Sequence, residues 1–90
     1  MTLRDKETKR LLERDRVKKF EQIEKAARIK LAFLANAKDL TDLPRIPGLR
    51  LEKLSRDRDG QHSISVNDQY RICLRWKNDE AQDVEITDYH

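Results

Sequence analysis

Two histidines stand 28 positions apart, His62 inside "QHSISV" and His90 closing "VEITDYH" directly behind Asp88 and Tyr89. Between them "QYRICLRW" carries Arg71 and Arg75 four positions apart, and "SRDRDG", just before His62, sets two more arginines in a charged turn. Cleavage of an RNA phosphodiester needs no metal when the 2′-hydroxyl is the nucleophile. A base takes its proton, cations stabilise the crowded phosphate, and an acid protonates the departing 5′-oxygen. Histidine can do either proton job near neutral pH, and arginine holds phosphate with paired donors. The residue types for a small ribonuclease are therefore present.

Each residue also has a plain structural role open to it. A histidine at a chain end is often a frayed one. His62 shares strand parity with Ile64 and Val66, which suits a core-edge histidine held by hydrogen bonds. Arg71 and Arg75 can be solvated cross-strand partners of acids such as Asp83 and Glu85, and Tyr70 and Trp76 fall on the apolar side of their strand, where packing is their ordinary use. Other chemistries find less support. The scattered histidines and acids give no compact metal-ligand spacing, so no metal or other cofactor is expected. GxxxxGK[ST], GxGxxG and GxSxG are absent. Cys73 is the only cysteine, which excludes an intramolecular disulfide and suits a reducing cytoplasm.

Ninety residues suffice for one domain, expected over 1–90. With 37% apolar and 41% charged residues, its core must be small and its surface ionic. Residues 1 to 30 hold eleven Lys/Arg against six acids, an excess that would attract nucleic acid, an acidic partner or an anionic membrane without choosing between them. No run of apolar residues is long enough for a membrane span and "MTLRDKETKR" has no apolar signal region, so a cytoplasmic protein is expected.

The elements that must position these groups come in two blocks. From Asp5 to about Arg16 the chain reads as a short exposed helix. In "FEQIEKAARIKLAFLANA", Phe20, Ile23, Ala27, Leu31 and Leu34 recur at helical spacing and predict an amphipathic helix. "KDLTDLPRIPGLR" then forbids regular helix, with two prolines and a glycine close together. Beyond it the period becomes alternating: strands over "LRLEKL", "QHSISV", "QYRICLRW" and "AQDVEITDY", separated by turns at "SRDRDG", "ND" and "KNDE". Short turns force antiparallel neighbours, so the expected fold is α+β, two N-terminal helices laid across one face of an antiparallel meander. Tyr70, Ile72, Leu74 and Trp76 should face the helices. Arg71, Cys73 and Arg75 should stand on an uncovered polar face.

The stretch "LEKLSRDRDGQHSISVNDQYRICLRW…DVEITDYH" resembles the HigB branch of the RelE-type toxins, the plasmid maintenance killer family. That family has a basic turn (K/S)-G-(D/N)-R-x-G, a Q-(H/Y)-S-(I/V) strand, an N-x-(Q/N)-(W/Y)-R strand and a closing D-V-x-(I/L)-x-D-Y-H. The match covers essentially residues 49 to 90, and the helical half agrees in length and order. The resemblance implies a RelE-like fold and a type II toxin–antitoxin role. Such toxins are ribosome-dependent endoribonucleases that cut mRNA in the A site, and a HigA-type helix-turn-helix antitoxin silences them. Operator DNA is bound only through the toxin–antitoxin complex.

Carried over by position, the resemblance assigns Asp88, Tyr89 and His90 to mRNA cleavage, with His90 in proton transfer and Tyr89 in stacking or orientation. Arg71 would stabilise the scissile phosphate, and Arg58 would hold RNA or ribosome. His62 matches a position that is His in some members and aromatic in others, a possible further catalytic group. Relatives place lysine where Ser55 stands and glycine where Arg56 stands, so Lys53 and Arg56 are expected to supply that charge from shifted positions. Arg75 joins them as a further RNA contact on the sheet. The family's first strand, I-x-S-F, is here "TLR", so a short or absent edge is expected. A non-catalytic toxin of the RelE/ParE fold and a nucleic-acid-binding module without chemistry are the alternatives. A metal-free site gains much from a scaffold that holds the 2′-oxygen, phosphorus and leaving oxygen in line, which is what a ribosome would provide.

Overall fold

The computed structural model describes residues 1–45 and 48–88. Helix α1 spans Lys6–Leu12 and α2 Glu24–Asn36; they precede four strands, β1 Glu52–Lys53, β2 His62–Ser65, β3 Tyr70–Lys77 and β4 Glu80–Asp88. The strands form one antiparallel sheet in the order β1-β2-β3-β4, the meander that the short turns require. Leu11, Phe20, Ile23, Ala27, Leu31 and Leu34 from the helical half close over Ile64, Ile72, Leu74, Ala81, Val84 and Ile86 from the sheet. Fully burying a large aliphatic or aromatic side chain contributes about 1.5–3 kcal/mol, so this one interface supplies most of the driving force.

The N-terminal "TLR" forms no strand among the described residues and meets the sheet edge through one isolated bridge. Leu3 bridges Val84 in parallel, with Thr2 N–H donating to the Ala81 carbonyl (3.1 Å) and Arg4 N–H to that of Val84 (2.9 Å). Just beyond, the buried Thr8 of α1 accepts from the Ile86 N–H through its hydroxyl (3.2 Å). The outer edge of β4 is thus covered first by backbone and then by a helix side chain, which removes a site for unwanted strand pairing.

α1 is shorter than its polar, helix-forming sequence suggests. It ends in a Schellman arrangement: Asp15 N–H reaches the Arg10 carbonyl (2.9 Å), Arg14 N–H the Leu11 carbonyl (3.1 Å), and Arg14 takes φ 68°. The Leu11 carbonyl also accepts from Arg28 Nε on α2 (2.9 Å), so the second helix pins the end of the first. α2 in turn starts at Glu24 rather than Phe20, because Lys18–Ile23 winds as 3₁₀ helix. That tighter winding eclipses positions three apart and points Phe20 and Ile23 into the core together.

In the sheet half, the strand expected over Leu49–Leu54 reduces to Glu52–Lys53. Leu49 still accepts from Ser65 N–H (2.7 Å), but Arg50 takes φ 49° and kinks the edge between them. The β2–β3 turn is built on Asn67, whose side-chain carbonyl accepts from the backbone N–H groups of Gln69 (2.9 Å) and Tyr70 (2.7 Å). Asn78 and Asp79, both at positive φ, make the tight hairpin turn between β3 and β4. β4 carries a bulge: Cys73 faces Glu85 while Arg75 faces Gln82, with Asp83 at φ 53°. The slip lets Ala81 on one parity and Val84 and Ile86 on the other all reach the core.

The second sheet face differs from the open polar surface expected of it. Ser63 and Cys73 are 0% exposed, and Gln61, Ser65 and Arg71 are buried as well. The kinked edge strand and arginine side chains drawn down onto the sheet cover it, since a guanidinium with nearby acceptors packs its stem over apolar neighbours. No helix among the described residues is long and apolar enough to cross a membrane.

An arginine at left-handed φ costs about 1–2 kcal/mol relative to a residue without Cβ. Arg14→Gly should therefore raise stability by about 1 kcal/mol, measured as a higher urea midpoint with an unchanged m-value. No gain would mean that the Arg14 side chain contributes as much as its backbone costs.

Candidate functional site

The charged turn begins where β1 ends. Lys53 is its last strand residue, Ser55 is extended, and Arg56–Arg58 makes a single 3₁₀ turn that starts with Arg56 at φ 57°. Leu54 N–H to the Gln61 carbonyl (2.9 Å) and Gln61 N–H to the Arg58 carbonyl (3.0 Å) close the loop. Gly60 completes it at φ 86°, where an added Cβ would lie 2.8 Å from Nη1 of Arg75. Lys53, Leu54, Ser55, Arg56, Asp57 and Arg58 line an open pocket on this turn.

The arginines and lysine of the turn are not equivalent. Arg58 is half-buried, its Nη1 donating to Glu85 Oε1 at 2.7 Å and to Gln61 Oε1 at 3.1 Å, with Arg4 also near that carboxylate at 3.7 Å. Lys53 and Arg56 are exposed and form no ion pair with an acid among the described residues. The turn thus presents two outward cations braced by a third that is tied to β4. At position 56 the backbone is left-handed, a conformation that glycine adopts without strain, and arginine accepts that strain here.

Arg71 sits on the same sheet as this turn but not in the open. It is 7% exposed. Nε donates to Ser63 Oγ (2.8 Å), Nη2 to the carbonyls of Arg50 (2.7 Å) and Ser63 (3.4 Å), and Glu52 lies at 3.8 Å. A charge this deep is tolerated only with acceptors around it, and the kink at Arg50 supplies one. Arg75 is exposed and reaches back to the Asp59 carbonyl (3.4 Å). Neither arginine is ion-paired with Asp83 or Glu85 as strand alternation suggested, because Asp83 sits at the bulge and Glu85 is engaged by Arg58.

His62 lies opposite Lys53 on one side and Leu74 on the other. The sequence reading expected hydrogen bonds to hold it. Instead its Nδ1 is buried with no hydrogen-bond partner among the described residues. Burial, and then the positive charge of Lys53, push its pKa below the ordinary 6.5, so the imidazole is neutral at neutral pH.

β4 ends at Asp88 opposite Tyr70, and Gln69 Nε2 donates to Asp88 Oδ2 (3.0 Å). Tyr89 and His90 lie outside the described residues. One residue earlier, Thr87 is the register partner of Arg71, so Arg71 and the start of the closing D-Y-H are neighbours across one strand spacing. His62 is not part of that grouping. Four residues along β3 separate Leu74 from Tyr70, and two strand spacings separate β2 from β4, which puts His62 roughly 16 Å from Asp88. A pocket at the Asp88 end is lined by Lys18, Lys19, Gln22, Asn67, Gln69 and Tyr70 among others. Reading strand by strand missed it, because Lys18 and Lys19 reach the turn only by tertiary packing; their one signal was the basic excess of the N-terminal third. Among the described residues no group of three or more His, Cys, Asp or Glu could hold a metal ion.

Two helices on a four-stranded antiparallel meander, with a basic turn at one edge and an arginine beside the last strand, define a RelE-like toxin. The chain matches, over residues 1–90, the family described as RelE-like toxin of type II toxin-antitoxin system HigB. It belongs to the HigB-like toxins, and an antitoxin is therefore its partner. No curated protein matches it at a significant level.

Because folded His62 binds a proton less readily than the unfolded chain, the stability of its neutral form is complete above the unfolded pKa of 6.5 and is lost as pH falls through the depressed folded value. Urea midpoints of the wild type should drop more steeply than those of His62→Gln between about pH 7 and about pH 5. Parallel curves would show that His62 titrates normally.

Proposed function

We propose that the protein is a ribosome-dependent endoribonuclease that cleaves mRNA in the A site by metal-independent attack of the 2′-hydroxyl. The new bond joins the 2′-oxygen to phosphorus, the bond from phosphorus to the 5′-oxygen breaks, and the departing oxygen takes a proton. His90 carries the proton transfer, Tyr89 stacks on or orients the message, and Asp88 supports that segment. Arg71 stabilises the phosphate from a position already fixed by Ser63 and the Arg50 carbonyl. Preorganised cations of this kind are more effective than flexible ones, since they need no reorientation as charge develops.

The observation that carries this reading is the register Arg71↔Thr87, which sets the cation alongside the strand that leads into D-Y-H. Lys53, Arg56, Arg58 and Arg75 hold RNA or ribosome at the other part of the surface. His62, roughly 16 Å from Asp88, does not share one phosphate with Asp88, so in this reading it belongs with the basic turn rather than with the proton chemistry. In the cell the toxin works in the cytoplasm, is silenced by a HigA-type antitoxin, and reaches operator DNA only through that complex.

The test is cleavage of a translated and an untranslated copy of one message, with fragment ends mapped. Wild type should cut the translated copy far faster and leave 5′-hydroxyl ends; equal rates on both would sink the ribosome requirement. His90→Ala should lower translation-dependent cleavage by roughly 100-fold or more while leaving the melting temperature in place. Absence of any cleavage by the wild type, with toxicity retained, would instead favour a non-catalytic toxin of this fold.

Arg56→Gly separates backbone from charge at the turn. Stability should rise by about 1 kcal/mol as the left-handed strain is removed, while translation-dependent cleavage should fall several-fold. Unchanged cleavage would remove Arg56 from the RNA surface.

A further inference from the structure

α2 has a second face that the fold does not use. Ala27, Leu31 and Leu34 are buried against the sheet, whereas Ile29 and Phe33, one turn apart on the outward side, are 45% and 37% exposed. With Leu12 they are the exposed large hydrophobic residues among those described. Ala32 lies between them and is also exposed, so the apolar stripe is continuous along the helix.

The surroundings of the stripe have a definite charge. Arg14, Lys25, Arg28 and Ile29 line one groove with Glu21, Gln22 and Glu24. Glu24 is neutralised by Arg28, its neighbour one turn on. Arg14 and Lys25 have no ion-pair partner among the described residues, and of the two acids lining the groove only Glu21 is left to set against them. Arg14, the left-handed residue that closes α1 at φ 68°, lines the same groove as Ile29.

We infer that this face docks the antitoxin, through an apolar segment edged with acidic residues: Ile29 and Phe33 are the anchors, and Arg14 and Lys25 select the acids. The occupant follows from membership of a toxin–antitoxin family, which requires a partner for the chain, and from the unpaired cations, which disfavour a second copy presenting the same charges. The face points away from the sheet, on the far side of α2 from Arg71 and the last strand. Bound there, the antitoxin would leave the proposed RNA surface to be blocked by its bulk or by exclusion from the ribosome.

The experiment uses the full chain and the product of the reading frame adjoining its gene, co-expressed and then titrated with purified components in the absence of RNA. Ile29→Asp/Phe33→Asp should weaken the complex on the order of 100-fold, as expected of paired apolar anchors, and Lys25→Glu about tenfold with a reduced dependence on salt. Lys53→Glu, on the basic turn, should bind as the wild type does. Hydrogen exchange of the wild-type complex should show protection over residues 25–36, which tests the surface without any variant. Wild-type affinity in the double aspartate variant, protection confined to residues 53–58, no complex with the wild type, or a toxin dimer that the double variant dissociates would each overturn the inference. Cleavage assays on the free double variant keep this separate from the proposed function: cleavage like that of the wild type with lost binding supports the docking face, and a ribonuclease failure common to both proteins leaves the binding result standing.

Discussion

A guanidinium that is almost out of reach of water organises the sheet half of this protein. Arg71 cannot shed its charge, so its burial requires acceptors from several directions at once. Ser63 supplies a hydroxyl and a carbonyl from β2, Arg50 a carbonyl from the edge, and Glu52 a carboxylate nearby. The kink at Arg50 is consistent with that demand, because a regular strand through this position would not present the same carbonyl inward. β1 is then only two residues long, and the basic turn starts where it does because β1 ends there. One buried cation thus connects the register of the sheet with the placement of the outward cations Lys53 and Arg56.

Backbone strain is distributed in a way that fits this picture. Arg14, Arg50 and Arg56 all occupy the left-handed region, each at a cost of about 1–2 kcal/mol, in a domain whose small core leaves little stability to spare. At Arg50 the hydrogen bond from Arg71 offsets the cost. At Arg14 and Arg56 no comparable contact is formed by the side chain among the described residues, and both cations stand on the surfaces proposed above for a partner. Strain kept at exposed arginines is more easily understood as a requirement of recognition than of folding.

The two surfaces are chemically distinct. The sheet edge and its turn offer charge with little apolar area, which suits a phosphate backbone. The outer stripe of α2 offers Ile29 and Phe33 with a narrow fringe of charge, which suits a protein segment. Because α2 lies between the stripe and the sheet, the surface proposed for RNA and the surface proposed for the antitoxin do not overlap.

Much of the architecture was legible in the residues. The switch from helical to alternating periodicity located helices and strands, and Asn78–Asp79 marked the last hairpin, since these are properties of neighbouring residues. The D-Y-H and Q-H-S-I motifs identified the family for the same reason: motifs survive in order along the chain. Alternation failed where tertiary structure broke its premise. The bulge took Asp83 out of register with Arg75, Arg58 engages Glu85, and the kink at Arg50 shortened β1. Burial of Arg71, the unpartnered Nδ1 of His62 and the roughly 16 Å between His62 and Asp88 likewise depend on distances between strands. Sequence by itself determined which groups were available and in which elements they lie. Only the packed sheet decided which of them are neighbours, because proximity across strands is set by register and bulges, and a pattern read along one strand contains neither.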